Sequence, residues 1–200
     1  MDVYHYPQFN AVVYTAKFKN VKNTGAIRKR IIKAATAVGP DGDAEREAVN
    51  FAFIEAKLIT SPLHLHTAIN QALLADSQGS LRTKTVHSEI IWALNPTNNI
   101  SEAIKLFGVS SKTTDLILVH IASSHIGDMQ QRMNAVVEGD LVPMSTIPES
   151  TDWLDVKMAS THYKLNGENA LKEAAENESL QKSIIDNVVV STVAMKSVMT

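Results

Sequence analysis

The chain has 200 residues, 44% of them hydrophobic and 20% charged, which is enough apolar material for one sizeable core and the right length for one domain. It contains no cysteine, so disulfides, thiolate nucleophiles and cysteine-ligated zinc are excluded. The formal net charge of −2 argues against a protein that grips nucleic acid unaided, which carries a strong basic excess; any such contact is expected to be local and shared with other chains.

The opening MDVYHYPQFN has neither a basic start nor an apolar signal core. No run approaches the roughly 20 apolar residues that span a bilayer, so an intracellular protein without a membrane partner is expected. Ala11–Phe18 alternates Val12, Tyr14, Ala16 and Phe18 against the other face and predicts a strand. NTGAIRKRIIKAATAV predicts a helix with Ile27, Ile31 and Ala34/Ala35 inward and Arg28, Lys29, Arg30 and Lys33 around the rest. That basic stripe suits a solvated face, or a contact for an acidic partner or a nucleic-acid backbone. Residues 39–48 (GPDGDAEREA) read as a polar surface loop, and Asn50–Ile54 as a short strand.

Ser61–Asp76 predicts a helix with Ser61 as N-cap, Pro62 at N1, and Leu65, Ile69, Ala72 and Leu73 on its apolar stripe. A second helix is expected over Thr85–Leu94. In the stretch NPTNNISEAIKLFG that follows, Asn99 and Glu102 have capping-box spacing. Ile100, Ala103, Ile104 and Phe107 fall on one helical face, and Gly108 stands where a left-handed C′ residue is wanted. Cap chemistry accounts for these residues without any site; Asn98 is left unexplained. DLILVHI (Asp115–Ile121) carries the signature of a strand buried on both faces. A helix through DMQQRMNAVVEG, an extended LVPMSTIP, a helix around Asp152–Tyr163 and a polar linker precede a final helix over residues 178–199. In that helix Leu180, Ile184, Val188, Met195 and Met199 make one stripe, and Ile185, Val189 and Val193 an adjacent one. An apolar arc this wide exceeds what one core needs, so its outer part is expected to meet the rest of the domain or another chain. A partly stranded IIDNVVVSTV is the competing reading. The whole predicts a mixed α+β (α/β) fold: a small central β-sheet flanked by several α-helices in a single domain, 1–200.

The search for chemistry finds no phosphate-binding loop, dinucleotide fingerprint, zinc-helix motif or nucleophile elbow. His64 and His66 are two apart, as are His87 and Glu89, which on a helix sends them to different faces. His120 reads as a satisfied strand histidine, and His5, His125 and His162 have no companions in sequence. Neither catalytic residues nor a metal site nor a cofactor is expected. Arg82, Thr83, Lys84, Ser88 and Glu89 form the densest polar group, readable as a solvated helix start or as a phosphate or ribose site.

From Arg82-Thr83 through Ser88–Ile91, Leu94 to Pro96, Asn98–Ala103 and Phe107–Val109 into Leu116–Ile121, the chain resembles the kinase-binding subunit of the KEOPS (also called EKC) complex, the Cgi-type or PRPK-binding proteins. Weaker echoes occur at FKNVKNTGAIRKR and FAFIEAKLI, while Asp41–Glu47 and the chain beyond Thr146 depart from the pattern. The resemblance implies a non-catalytic subunit that binds and stimulates a small atypical kinase/ATPase. Through that kinase it would meet the threonylcarbamoyl transferase and the other KEOPS subunits. It also implies contact with tRNA near its 3′ end, a link to telomere maintenance, and a place in nucleus and cytoplasm. Under it, Arg82, Thr83, Lys84, Ser88, Glu89, Asn98 and Asn99 become candidates for tRNA contact, provided the two helices pack as an antiparallel pair that brings Asn98 to the cluster. Ile184, Val188, Met195 and Met199 become candidates for the kinase interface. Two readings compete: a small-ligand enzyme using Glu89, Glu102 or a histidine as acid/base, and a stand-alone nucleic-acid binder.

Overall fold

The apolar run at residue 116 forms a strand with neighbours on both edges, as a run without polar alternation requires. The computed structural model describes residues 1–147, 153–174 and 176–198. Its strands are β1 (Asp2–Tyr6), β2 (Ala11–Lys19), β3 (Ala52–Glu55), β4 (Leu116–Ala122) and β5 (Asp140–Val142). All pairings are antiparallel, in the order β1-β2-β4-β3. β5 pairs with Lys17 to Lys19 of β2, on the edge whose earlier residues hold β1. The first strand is absent from the sequence reading, because DVYHY offers little apolar alternation of its own. It forms as the outer arm of a hairpin turned by Pro7–Phe9 and closed by Asn10 at φ 49°.

Helices α1 (Thr24–Thr36), α2 (Gly39–Ala48), α3 (Pro62–Ser77), α4 (Val86–Leu94), α5 (Ile100–Phe107), α6 (Met129–Val136), α7 (Trp153–His162), α8 (Asn169–Glu173) and α9 (Glu178–Ala194) cover the sheet. The two sheet faces bury different helices. Val13, Ile54, Ile117 and Val119 pack with α3, α4 and α9 through Leu65, Ile69, Ile90, Leu94, Ile185 and Val189. Tyr14, Phe18, Phe53, Leu116 and Leu118 face the other way, towards Ile27 of α1 and Met129 and Met133 of α6. A mixed α+β fold with a small central sheet flanked by helices is what the sequence predicts. β2 also keeps Lys17 fully buried; its Nζ donates to the carbonyl and hydroxyl of Thr146 at 2.9 and 3.2 Å, tying the turn Met144–Thr146 to the sheet.

The expected surface loop at 39–48 is instead α2. Gly39 at φ 78° turns the chain out of α1, and Pro40 and Asp41, which read as loop punctuation, suit a first helical turn. Arg46 then donates to the Ala34 and Ala37 carbonyls at the end of α1, and Arg30 forks onto Glu45 at 2.7 and 3.1 Å. The last helix stops at Ala194 rather than 199, and a short 3-10 turn, Lys196–Val198, follows; Met199 lies outside the described residues. IIDNVVVSTV is wholly helical. The linker before it contains α8.

Gly108 corrects a detail of the sequence reading. Its φ is −83°, not left-handed. Glycine is needed for space: a Cβ there would stand 2.5 Å from the Ile104 carbonyl oxygen, and Gly108 bridges to Ile54 of β3. Gly108→Ala is therefore expected to destabilise the fold by about 1–3 kcal/mol, the usual cost of overpacking, read as a lower urea midpoint at unchanged m-value.

Candidate functional site around helix α4

Thr85 caps α4: its hydroxyl accepts from the Ser88 N–H at 3.1 Å, and Ser88 Oγ accepts from the Thr85 N–H at 3.2 Å. Ahead of the cap the chain doubles back onto Glu89, which is 1% exposed. Its carboxylate accepts from the backbone N–H of Arg82 at 3.1 Å, the N–H of Thr83 at 2.8 Å and the Thr83 hydroxyl at 2.6 Å. Ser88 Oγ donates to Thr83 Oγ1 at 3.0 Å. Thr83, Ser88 and Glu89 are thus consumed in holding the loop. What the loop presents is the side chains of Arg82 and Lys84, both exposed and without a hydrogen bond or ion pair among the described residues.

The other end of α4 is more heavily built. Lys196, 5% exposed, sends its ammonium to the carbonyls of Trp92 at 2.7 Å, Thr97 at 2.9 Å and Asn95, while lying 3.9 Å from the Trp92 ring centroid. A cation on the last carbonyls of a helix satisfies acceptors that have no intrahelical partner. Burial pulls its pKa down to about 8, partly opposed by the charge of Glu89. Asn95 is fully buried and donates to Thr97 Oγ1 at 2.8 Å; its Oδ1 accepts from His162 Nε2 at 2.9 Å. The Leu94 carbonyl takes the Tyr163 hydroxyl. Tyr163 in turn accepts from His64 Nε2 at 3.2 Å, and His64 Nδ1 accepts from the Thr60 N–H at 3.3 Å.

Asn99 caps α5 by accepting from the Glu102 N–H at 3.1 Å, as its spacing predicts. Glu102 does not reach back to Asn99. Its carboxylate takes the Thr97 hydroxyl at 2.5 Å and lies 3.4 Å from Asn95 Nδ2, and these hydrogen bonds, Thr97 first, hold its pKa below the usual carboxylate value. Asn98 is exposed, and its side chain makes no hydrogen bond among the described residues; its carbonyl lies 3.5 Å from the Trp92 indole nitrogen. The Arg82–Glu89 cluster and Asn98 flank opposite ends of α4, nine residues long, or about 13 Å of helix. The cluster opens onto a cleft of about 530 Å³ bounded by Gln71 and Leu74 of α3, Arg82, Trp92 and Lys196. Asn98 is not among the residues that line the cleft beside the cluster.

Two of the histidines that lack sequence neighbours, His125 and His162, have spatial ones. His125 lies 3.2 Å from the Tyr14 hydroxyl, and His162 joins the Asn95 network. His64 and His66 do diverge: His66 Nδ1 lies 2.9 Å from the Tyr6 hydroxyl, while His64 is sealed in the core. His120 Nδ1 donates to the Asn50 carbonyl at 2.8 Å. His87 Nε2 accepts from the Ile121 N–H at 3.0 Å, just beyond the point where β3 stops pairing with β4 at Ala52 and Val119. It completes the sheet edge in place of a strand.

The outer stripe of α9 is the remaining candidate surface. Ile185, Val189 and Val193 are buried, Ile184 and Val188 are half-buried, and Leu180 and Met195 are 48% and 51% exposed. No helix of the described residues is long and apolar enough to cross a membrane.

The family described as kinase binding protein CGI-121 matches residues 18–197. The chain belongs to this family. It is 36% identical to the EKC/KEOPS complex subunit CGI121 of Cryptococcus neoformans, over 99% of this chain and 100% of the relative. It is 31% identical to the subunit of the same name in Neurospora crassa, over 98% and 97%, and to that of Yarrowia lipolytica, over 87% and 92%.

Two expectations follow. Lys196→Met removes the ammonium from three carbonyls, of which those of Trp92 and Thr97 keep a donor in Asn95 at 3.1 and 3.3 Å, and should destabilise the fold by roughly 1–3 kcal/mol through the buried Asn95 carbonyl, with the Trp92 fluorescence becoming more solvent-like. Burial also lowers the pKa of both His64 and His87 to about 3, His120 adding to the effect on His87. Both are neutral acceptors in the native state, and the unfolded chain titrates at about 6.5. Their contribution to stability is complete above pH 6.5 and is lost as pH falls from there towards 3. Each histidine should steepen the loss by up to about 1.4 kcal/mol per pH unit. Urea titrations between pH 7 and 5 measure this, and His87→Gln should reduce the slope by about one proton.

Proposed function

We propose that this chain is a non-catalytic subunit of a KEOPS/EKC complex that binds and stimulates the small atypical kinase/ATPase of that assembly. Through the kinase it joins the threonylcarbamoyl transferase and the remaining subunits, and it supports threonylcarbamoyl-adenosine formation by contacting tRNA near the 3′ end. The observation that carries the reading is α9, whose apolar outer stripe continues past what its own core covers, in a chain that matches a kinase-binding family over residues 18–197. Exposed Leu180 and Met195 beside half-buried Ile184 and Val188 offer an adaptable apolar surface, and methionine repacks readily at such interfaces. Met199 extends the proposed surface by sequence alone.

For tRNA, the support is local charge. Arg82 and Lys84 project from a loop whose backbone Glu89 fixes, so two cations are presented with little freedom left to lose. Thr83, Ser88 and Glu89 act as positioning residues in this reading, and Asn99 as a cap. Asn98 contacts RNA only if the ligand also spans the Trp92 end of α4. Roles in telomere maintenance and in nucleus and cytoplasm belong to the same proposal. Glu89 and Glu102, the carboxylates an enzyme reading would use, both serve as acceptors inside the fold.

The test is co-purification of the chain with its cognate KEOPS kinase, with ATP hydrolysis and tRNA binding measured on the complex. Met195→Asp should weaken kinase association by about tenfold or more, as expected for a central apolar contact, at unchanged melting temperature. The double variant Arg82→Glu, Lys84→Glu should keep the kinase and lose tRNA affinity, with a shallower salt dependence in what remains. Kinase binding unaffected by Met195→Asp sinks the α9 interface, and unchanged tRNA affinity in the double variant sinks the loop.

A further inference from the structure

The outer stripe of α9 holds a group whose polarity chemistry can change. Leu180, Ile184 and Val188 carry hydrocarbon alone. Met195, seven residues beyond Val188 and so on the same helical face, carries a thioether.

Exposure separates Met195 from the core methionines. Met129, Met133 and Met144 are 1%, 0% and 3% exposed, against 51% for Met195. Met158 is as exposed as Met195 but belongs to α7, outside the stripe. The chain has no cysteine, so no thiolate of its own competes for a mild oxidant.

The backbone beneath this side chain is held on both sides. The Met195 N–H donates to the Ser191 carbonyl at 3.0 Å, and the Met195 carbonyl accepts from the Val198 N–H at 3.0 Å. The next residue, Lys196, is anchored on the last carbonyls of α4. A change at the half-exposed sulfur therefore alters the surface of a fixed segment and leaves the core packing alone.

We propose that Met195 is an oxidation site whose sulfoxide blocks docking on α9. The oxidant is a hydroperoxide. The sulfur lone pair attacks the terminal peroxide oxygen, and an S–O bond forms as the O–O bond breaks. The departing oxygen takes the hydroxyl proton and leaves as water or an alcohol; sulfur gives up two electrons and the peroxide receives them. The thioether has become a polar sulfoxide. Pressed against an apolar partner, that oxygen loses its water without gaining a donor. The inference rests on the α9 interface proposed above. Docking covers the sulfur, so oxidation acts on the free chain and prevents it from joining the assembly.

The test treats the full chain with hydrogen peroxide, quenches with catalase, and divides the product between peptide mass spectrometry and calorimetry with untreated cognate KEOPS kinase. Sulfoxide is expected at Met195 and Met158, with Met129, Met133 and Met144 still reduced and the melting temperature unchanged. The Kd for the kinase should rise about tenfold, the scale on which one unpaired polar group lowers affinity. The two methionine sulfoxide reductases together should restore it. Met195→Leu should bind alike before and after treatment, whereas Met158→Leu should stay peroxide-sensitive. A Met195 that remains reduced, an oxidised chain that binds as the untreated chain does, or a loss that persists in Met195→Leu overturns the proposal. Failure of the α9 interface itself reads differently: the untreated Met195→Asp chain then binds like wild type.

Discussion

The C-terminal end of α4 is the constraint on which the helical layer depends. A helix ends with carbonyls that have no intrahelical donor, and here those carbonyls are buried. An unsatisfied buried acceptor costs about 1–3 kcal/mol, so each must be met by a donor from elsewhere in the chain. Lys196 meets Trp92, Asn95 and Thr97, and Tyr163 meets Leu94. Asn95 turns the chain towards α5 through Thr97 and Glu102. His162 reaches Asn95 from α7, and Tyr163 is held by His64 of α3. Segments far apart in sequence are thereby fixed by one set of acceptors, and a satisfied network of this kind specifies a single arrangement as well as stabilising it.

At its other end the same helix holds a loop rather than a core. Glu89 spends both carboxylate oxygens on the backbone and hydroxyl of the Arg82–Thr83 segment. The fixed part of that loop is its main chain; the free part is two cationic side chains. The polar group around α4 therefore divides into residues that build and residues that can touch. Only geometry makes that division, since Glu89 and Arg82 look equally available in a sequence.

The sequence was most legible where a rule is local. Ser61 and Asn99 cap their helices as spacing predicts, and β4 is central because its residues permit no wet face. It was least legible where a residue answers to something distant. Gly39, Pro40 and Asp41 resemble a loop, yet they form a first turn because Arg46 and Arg30 stitch α2 to α1. Gly108 looks like a left-handed cap and is a close contact. Asn95, the residue with most to hold, gave no signal, because its partners come from α5 and α7. His125 and His162 looked solitary for the same reason. β1 was missed because an edge strand draws its stability from the neighbour it pairs with.

The architecture also bears on how such a subunit would work if α9 meets a kinase and the Arg82 loop meets RNA. Lys196 lies two residues beyond α9 and grips the helix whose first turn carries the loop, so the two surfaces are joined by one ammonium and the nine residues of α4, about two and a half turns. Energetic coupling between sites requires an element with two discrete arrangements. The network offers no obvious second one, because His64 and His87 are held as acceptors and the α4 carbonyls named above have buried donors. A subunit built this way transmits position rather than a switch: it sets the distance and angle between what binds α9 and what binds the loop. Activation of a partner would then come from where RNA is held relative to it, and loosening the Lys196 contact would blur that geometry before it unfolded the chain.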